Sequence, residues 1–391
     1  MRGPPHSMTW PPTARATCKP RFWKFNNAFN KTHGVLSMKL QLSLSIIIVF
    51  ALIQSSFPYE HVFLTAKRIN ELKHRVETKT EPNYSAYLAM KEETDTQLGR
   101  QPHAPKHWYI PGYYRDAKGH ASAKRVLQED ANYAYQLALC YRMTGKETYA
   151  KSAARLINGW AKGVKTMSKK DDSTLSFSYH FPPLIFAADL ISQAPSWPKA
   201  KQEQFKTFVR EKALPMNTMN RTNNWGNWGL VLVMASAAYL DDEALFNKGV
   251  DRWKAFIAEQ IAPDGHLHHE VNRNGGRSGI WYSNFSLLPQ TLAAEIAKIN
   301  GTKLYNYKAP NGRTLKQAYK KLAPWVWQPN TFPYWDGPVS RLTGVTYISY
   351  FEILYNHWPN PTVKNILQKN RPLTARHGAP VLTFTHGEAL N

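Results

Sequence analysis

The chain has 391 residues, 43% of them hydrophobic and 20% charged, which excludes a disordered polymer and allows a sizeable core. Its formal net charge is +23, from 50 Lys and Arg against 27 Asp and Glu. So basic a balance favours polyanionic partners: nucleic acid, anionic membrane or acidic polysaccharide. The two cysteines, Cys18 and Cys140, build neither a disulfide framework nor a thiolate metal site. Cys140 lies in an amphipathic stretch where a buried thiol is expected.

Residues 1–37 are proline-rich and basic, lack hydrophobic periodicity, and are expected to be a non-native or disordered extension. Met38-Lys39 then opens an apolar run, Leu42 to Ile53, closed by Gln54-Ser55-Ser56. A short cationic start, an apolar run and small residues after it describe a secretory signal peptide over 38–57, with Met38 as the true start. The run is short for a membrane span. The expectation is therefore a secreted or periplasmic protein with no stable membrane insertion after signal removal. Export argues against nucleic acid as partner and leaves an acidic polysaccharide. Residues 58–391 read as a single domain, and nothing in the pattern specifies an oligomer.

From Val62 the dominant pattern is helical, with apolar residues three and four apart over Val62 to Val76 and Tyr84 to Leu98. A loop rich in aromatics and histidine follows, through His107, Trp108, Tyr109, Tyr113 and Tyr114. Then a motif recurs: a small-residue helix, a tight turn, an aromatic and a second helix. One copy turns at Thr144-Gly145, a second at Asp241-Asp242 and a third at Asn300-Gly301. Such pairs bury their apolar stripes only by packing side by side. The spacing is irregular, so the fold class is all-α: an α/α toroid, or incomplete α/α barrel, of helical hairpins. Short strands are expected only at 266–271 and 381–385, and the tail from Asn370 is expected along the surface.

Chemistry-bearing residues gather between the hairpins. Asn223-Asn224-Trp225 precedes an apolar helix read over Leu230 to Leu240. Amide donors near a helix N-terminus suit a carboxylate, and one of the two Asn is expected to cap the helix. Asp264-Gly265-His266-Leu267-His268-His269-Glu270 follows, with His266 and His268 on one face if extended. Together with Glu270 they could imitate metal ligands, but a substrate-touching imidazole is the preferred reading, with no metal and no cofactor. Arg273 and Arg277 then lead to Tyr282, expected just before a helix, where nearby cations would favour a phenolate. Tyr334 and Trp335, in a proline-rich aromatic loop, are candidates for holding sugar rings. Phosphate-binding glycine loops, nucleophile elbows and the paired-histidine zinc motif are absent from the sequence.

Asn223-Asn224-Trp225 before an apolar helix, then Glu270-x-x-Arg273, then Tyr282-x-Asn284-Phe285 before Ala293-Ala294-Glu295, resembles the alginate lyase superfamily of polysaccharide lyases. It looks closest to the glucuronan/alginate lyase branch, family thirty-eight, with family five more distant. The resemblance implies a toroid that cleaves polyuronates by β-elimination. It places Asn224 on the family amide, Arg273 on the family arginine and Tyr282 on the catalytic tyrosine. Family five carries His directly after the second Asn, where this chain has Trp225. The implied imidazole must then come from elsewhere: His269 or His268 first, His180 third. Arg277 is an alternative guanidinium, and Asn223, Trp225, Tyr334 and Trp335 are expected to touch substrate. Two rival functions remain at this point: an α/α-barrel glycoside hydrolase on acidic glycans, with Asp241, Asp242 or Asp336 supplying carboxylates, and a non-catalytic polyanion-binding scaffold.

Overall fold

The computed structural model describes residues 61–375 and 377–390. The expected extension, the signal peptide and Cys18 lie outside them.

Side-chain caps set the helix boundaries. Thr65 Oγ1 accepts from the Arg68 amide and opens α1 (Ala66–Glu77). After α2 (Asn83–Asp95), the Asp116 side chain caps α3 (Ala117–Thr144), which stops at Gly145 with φ 69°. That left-handed conformation is one glycine adopts without steric cost. α4 (Glu147–Gly163), α5 (Ser173–His180), α6 (Pro182–Leu190) and α7 (Lys199–Phe208) follow. Asn223 caps α8 (Asn224–Leu240), and Asp242 caps α9 (Glu243–Gln260). Next come α10 (Gly279–Ile299) and α11 (Leu315–Trp327), the latter opened by a reciprocal Thr314–Gln317 capping box. α12 (Phe351–His357), α13 (Pro361–Asn370) and α14 (Leu382–His386) complete the helices. Two short strands, β1 (His107–Trp108) and β2 (Thr166–Met167), pair in parallel.

The hairpins close into an α/α toroid. α3 packs on α4 and α6, α8 on α5, α9 and α10, and α11 on α10 and α13. The inner helices are apolar nearly all round: α8 is buried from Gly226 to Tyr239, and α10 from Ser283 to Ala297. The outer helices α4, α9 and α11 are buried along one stripe only. That division follows directly from sequence, because a helix apolar on every side has to be enclosed. The three recurring helix pairs are α3–α4, α8–α9 and α10–α11, and Cys140 is buried in α3.

Four expectations need correction. α8 begins at Asn224 and α10 at Gly279, so Asn224 and Tyr282 stand in first helical turns rather than in preceding loops. The segment expected as a strand at 266–271 makes one antiparallel bridge, Ile261 to Leu267, and then a series of turns. The other expected strand, at 381–385, lies almost wholly within α14. The tail is not on the surface. Leu373, Ala379, Leu382 and Phe384 are buried. Asn83 Nδ2 donates to the Phe384 carbonyl at 2.7 Å, and Arg371 pairs with buried Glu352 at 2.6 Å. The tail thus has polar partners ready inside the wall, which a short apolar run cannot reveal by itself.

Candidate active site

The site starts at the N-terminus of α8. Asn223 Oδ1 accepts from the Trp225 amide, so Asn223 is the cap. Asn224, the next residue, is 1% exposed and faces inward onto Glu270, which is equally buried. Its Nδ2 lies 2.9 and 3.0 Å from the two Glu270 oxygens, and its backbone N–H donates to Oε1 at 3.0 Å. The amide expected to meet a substrate carboxylate is therefore engaged by a carboxylate of the chain itself. Burial pushes Glu270 up to about 7, against the opposing effects of the Asn224 hydrogen bonds and the Arg273 charge.

Three residues after Glu270, the turn brings Arg273 over the Tyr282 ring, with the guanidinium carbon 4.2 Å from the centroid. Tyr282 is half-buried in the first turn of α10, and its hydroxyl is 3.1 Å from that of Tyr114. Tyr114 sits on the exposed loop before α3. That loop is fastened by Tyr109 donating to Asp171 at 2.6 Å, by Arg115 pairing with Asp171, and by the Tyr113 amide on Asp172. The expected low-pKa phenol is not found. Burial and the Tyr114 hydrogen bond push Tyr282 up to about 12, and Arg273 only partly offsets them. Tyr282 thus keeps its proton in this state.

The histidines divide into two groups. His268 and His269 are exposed and bonded to each other, Nε2 to Nε2 at 3.1 Å, on the turn that leads into Glu270. Burial, with His269 and His266 adding to it, lowers the His268 pKa. His266 turns away to Asp264 at 2.5 Å and to the Tyr334 hydroxyl at 3.1 Å. No shared metal-like face forms, because Glu270 points inward to Asn224 while His268 and His269 face solvent. His180 is 1% exposed and stacks on His377, centroids 4.6 Å apart. It lies behind His377 rather than at the surface.

The remaining candidates frame the site. Trp225 is half-buried with the Arg221 guanidinium 5.4 Å over its ring. Arg277 donates from Nε to the Arg341 carbonyl at 2.9 Å, tying the turn to the 339–343 loop. Its position makes Arg273, not Arg277, the guanidinium beside the phenol. Tyr334 and Trp335 lie on a loop that packs onto Gly276 at φ 89°, where a side chain would collide with the Tyr334 carbonyl. Asp242 caps α9 through its side chain, and Asp241 takes the left-handed backbone conformation that ends α8.

A cavity of about 1070 Å³ runs beside this cluster, lined by Lys118, Lys124 and Arg125 from α3 and by Trp281, Tyr347 and His377 opposite. Two acids at its edge are engaged, Glu129 by Arg100 at 2.9 Å and Glu93 by the Tyr133 hydroxyl at 2.9 Å. Trp281 joins cavity and site, with Tyr282 on one side (centroids 4.7 Å) and Tyr347 on the other (5.0 Å). Sequence reading missed Tyr114, Tyr347 and His377, which come from loops and a tail carrying no periodic signal. Glu270 was read as part of a spacing and as a conceivable metal ligand, not as the partner of Asn224.

Fold and site together define an α/α-toroid protein with a cation-lined cleft and a guanidinium–phenol pair at its side. The alginate lyase family model matches residues 71–332, and the chain belongs to that family. An alginate lyase of Pseudomonas syringae pv. syringae is 28% identical over 130 residues, covering 33% of this chain and 32% of that protein. A polysaccharide lyase of Stenotrophomonas maltophilia is 33% identical over 89 residues, 23% of this chain and 26% of that protein. The aligned stretch thus spans about a third or less of these curated relatives. Among solved structures, alginate lyase A1-III of Sphingomonas species A1 superposes with a TM-score of 0.67 at 18% identity, covering 85% of this chain and 97% of that one. An alginate lyase from Bacteroides ovatus gives 0.64 at 18% identity, covering 84% and 99%. At such identities the likeness concerns the fold. Alginate lyase A1-III has also been solved with a tetrasaccharide.

Proposed function

We propose that this protein is an exported polysaccharide lyase that cleaves a polyuronate, either alginate (polymannuronate) or glucuronan, by β-elimination. The observation that carries the reading is the Arg273 guanidinium held 4.2 Å over the Tyr282 ring, with the Asn224 amide reached through Glu270. Family membership, the cation-lined cleft and the +23 charge support it.

Elimination breaks the C5–H and C4–O4 bonds, forms C4=C5 and delivers a proton to O4, so it is redox-neutral and needs no electron acceptor. The difficult moment is the anion that develops on the uronate carboxylate as the C5 proton leaves. Preorganised donors stabilise such charge most when placed where it appears. Arg273 and Asn224 take that role here. Tyr282, neutral at rest, would serve as base only after its own proton has passed to solvent, a loss the Arg273 charge favours; the phenolate then takes the C5 proton and delivers it to O4 as that bond breaks. His269 and His268 remain the candidates for an accessory imidazole, with Asn223 and Trp225 at the edge of the site. Tyr334 and Trp335 hold sugar rings at the rim.

The test is incubation with alginate, polymannuronate and glucuronan while following ultraviolet absorbance of the new double bond. Absence of a rise on every polyuronate removes the lyase reading, and saturated products would point to hydrolysis instead. Retention on immobilised alginate without chain shortening would leave only a binding scaffold. Export is tested separately, by N-terminal sequencing of protein recovered outside the cytoplasm; a first residue well before position 58 speaks against the signal peptide.

A further inference from the structure

The contact between Asn224 and Glu270 has a consequence for how substrate enters. A buried carboxylate at the first turn of a 17-residue helix, met by one backbone N–H and one side-chain amide, occupies a ready-made anion site. If the uronate carboxylate is to use the same amide, two carboxylates converge on one nitrogen in a place excluded from water. Like charges so close disfavour double ionisation.

Resting on the lyase reading for the identity of the substrate, we propose that Glu270 is a positioning residue that holds the Asn224 amide ready in the empty site and releases it to the substrate carboxylate by taking up a proton from solvent. The ionised form is acceptor only, and it competes with the substrate for Asn224. The protonated form keeps a carbonyl oxygen for the Asn224 backbone N–H and gains an O–H donor. Proton uptake thus converts a competitor into an additional donor facing the incoming carboxylate.

The surroundings make Glu270 the group that changes state near neutrality. Burial already brings it to about 7. From α8 it meets only neutral amides. On its own turn the charged neighbour is Arg273, with His268 and His269 just before it, exposed and bonded to each other. From α10 the nearest titratable group is Tyr282, reached through Arg273 and held up at about 12. His268 is lowered from its ordinary 6.5 and titrates on the acid side of this window.

The experiment is calorimetric titration of the Tyr282→Phe protein, which binds without turnover, with a mannuronate or glucuronate oligomer near pH 7 in two buffers of different ionisation enthalpy. Uptake of roughly half a proton per site is expected for a group half-ionised at that pH. Adding Glu270→Gln should abolish the uptake. In the wild-type background KM should rise about tenfold for each pH unit above 7, with kcat little changed, and Glu270→Gln should flatten that rise. Glu270→Asp, which still titrates but withdraws the carboxylate by one methylene from Asn224, should lower the proton uptake and weaken the pH dependence of KM. A purely structural Glu270 would alter melting temperature and leave the KM profile unmoved.

Oligomer binding without proton uptake, or uptake that persists in Glu270→Gln, overturns the inference while lyase activity stands. Glu270-dependent uptake without double-bond formation in the wild type keeps the inference and removes the lyase reading. Neither binding nor activity on any oligomer overturns both.

Discussion

The two ends of the site helix α10 treat buried carboxylates in opposite ways. Near its N-terminal turn, Glu270 sits against neutral amides with one partly buried arginine nearby, and burial raises it to about 7. Near its C-terminal turn, Glu295 is 4% exposed yet held well below the usual carboxylate range. Burial opposes that, but the His357 imidazole, 3.9 Å away, and the charge of Lys298, 2.9 Å away, outweigh it, and the Tyr305 hydroxyl donates at 2.8 Å. The adjacent His386 is pushed down to about 3 by burial and is neutral. Similar burial thus goes with opposite pKa shifts, and the difference lies in whether a cation or a dipole answers the carboxylate. The cation-answered end serves stability. The dipole-answered end holds a carboxyl that exchanges its proton closer to neutrality.

The sharpest way to break this comparison is at Tyr282, on the reactive end. Tyr282→Phe should lower kcat by about 10²- to 10⁴-fold, with an unchanged helical circular dichroism spectrum; near-normal turnover would move the chemistry elsewhere. At the other end, Glu295→Gln should lower unfolding free energy by about 2 kcal/mol, read from the denaturant midpoint, and leave KM alone.

The pH dependence of stability sharpens the contrast, because the signs differ. Glu295, depressed from its ordinary 4.5, contributes stability that is fully present above that pH and is lost as pH falls through its folded value. Glu270, raised from 4.5 to about 7, does the reverse: the unfolded chain releases its proton first, so stability declines as pH rises through that interval. In melting curves from pH 2 to 8, Glu270→Gln should gain on wild type between about pH 4.5 and 7, whereas the deficit of Glu295→Gln should stay constant above pH 4.5 and shrink below it.

Smaller effects test the partners of Tyr282. Arg273→Lys keeps the charge but loses the planar stack on the ring, and kcat should fall about tenfold; an unchanged kcat would reduce Arg273 to a bystander. Tyr114→Phe removes a hydrogen bond that raises the Tyr282 pKa, so the alkaline limb of the pH–rate profile should move to lower pH, with less than about a tenfold change in kcat.

Much of this architecture was legible before any coordinates. The apolar helix read over Leu230 to Leu240 required enclosure, and the turns at Gly145, Asp241 and Asn300 divided the chain into hairpins that could enclose it. The candidate residues Asn224, Arg273 and Tyr282 were visible as a spacing. Their immediate partners were less visible. Asn224 turned out to face Glu270, 46 positions away. Tyr282 meets Tyr114, 168 positions away. His180 went under His377, from a tail whose burial no periodicity announces.

Local patterns fix what a helix must hide, because an apolar stripe is a property of neighbours in the chain. That much the sequence determined for this protein: a ring of hairpins with polar groups left at their ends. The charge state of a polar group is decided by what stands within a few ångströms of it once water has been expelled. Only the tertiary structure decided that Glu270 would face the amides of Asn224, 46 positions away, and that Glu295 would meet the Tyr305 hydroxyl, 10 positions on.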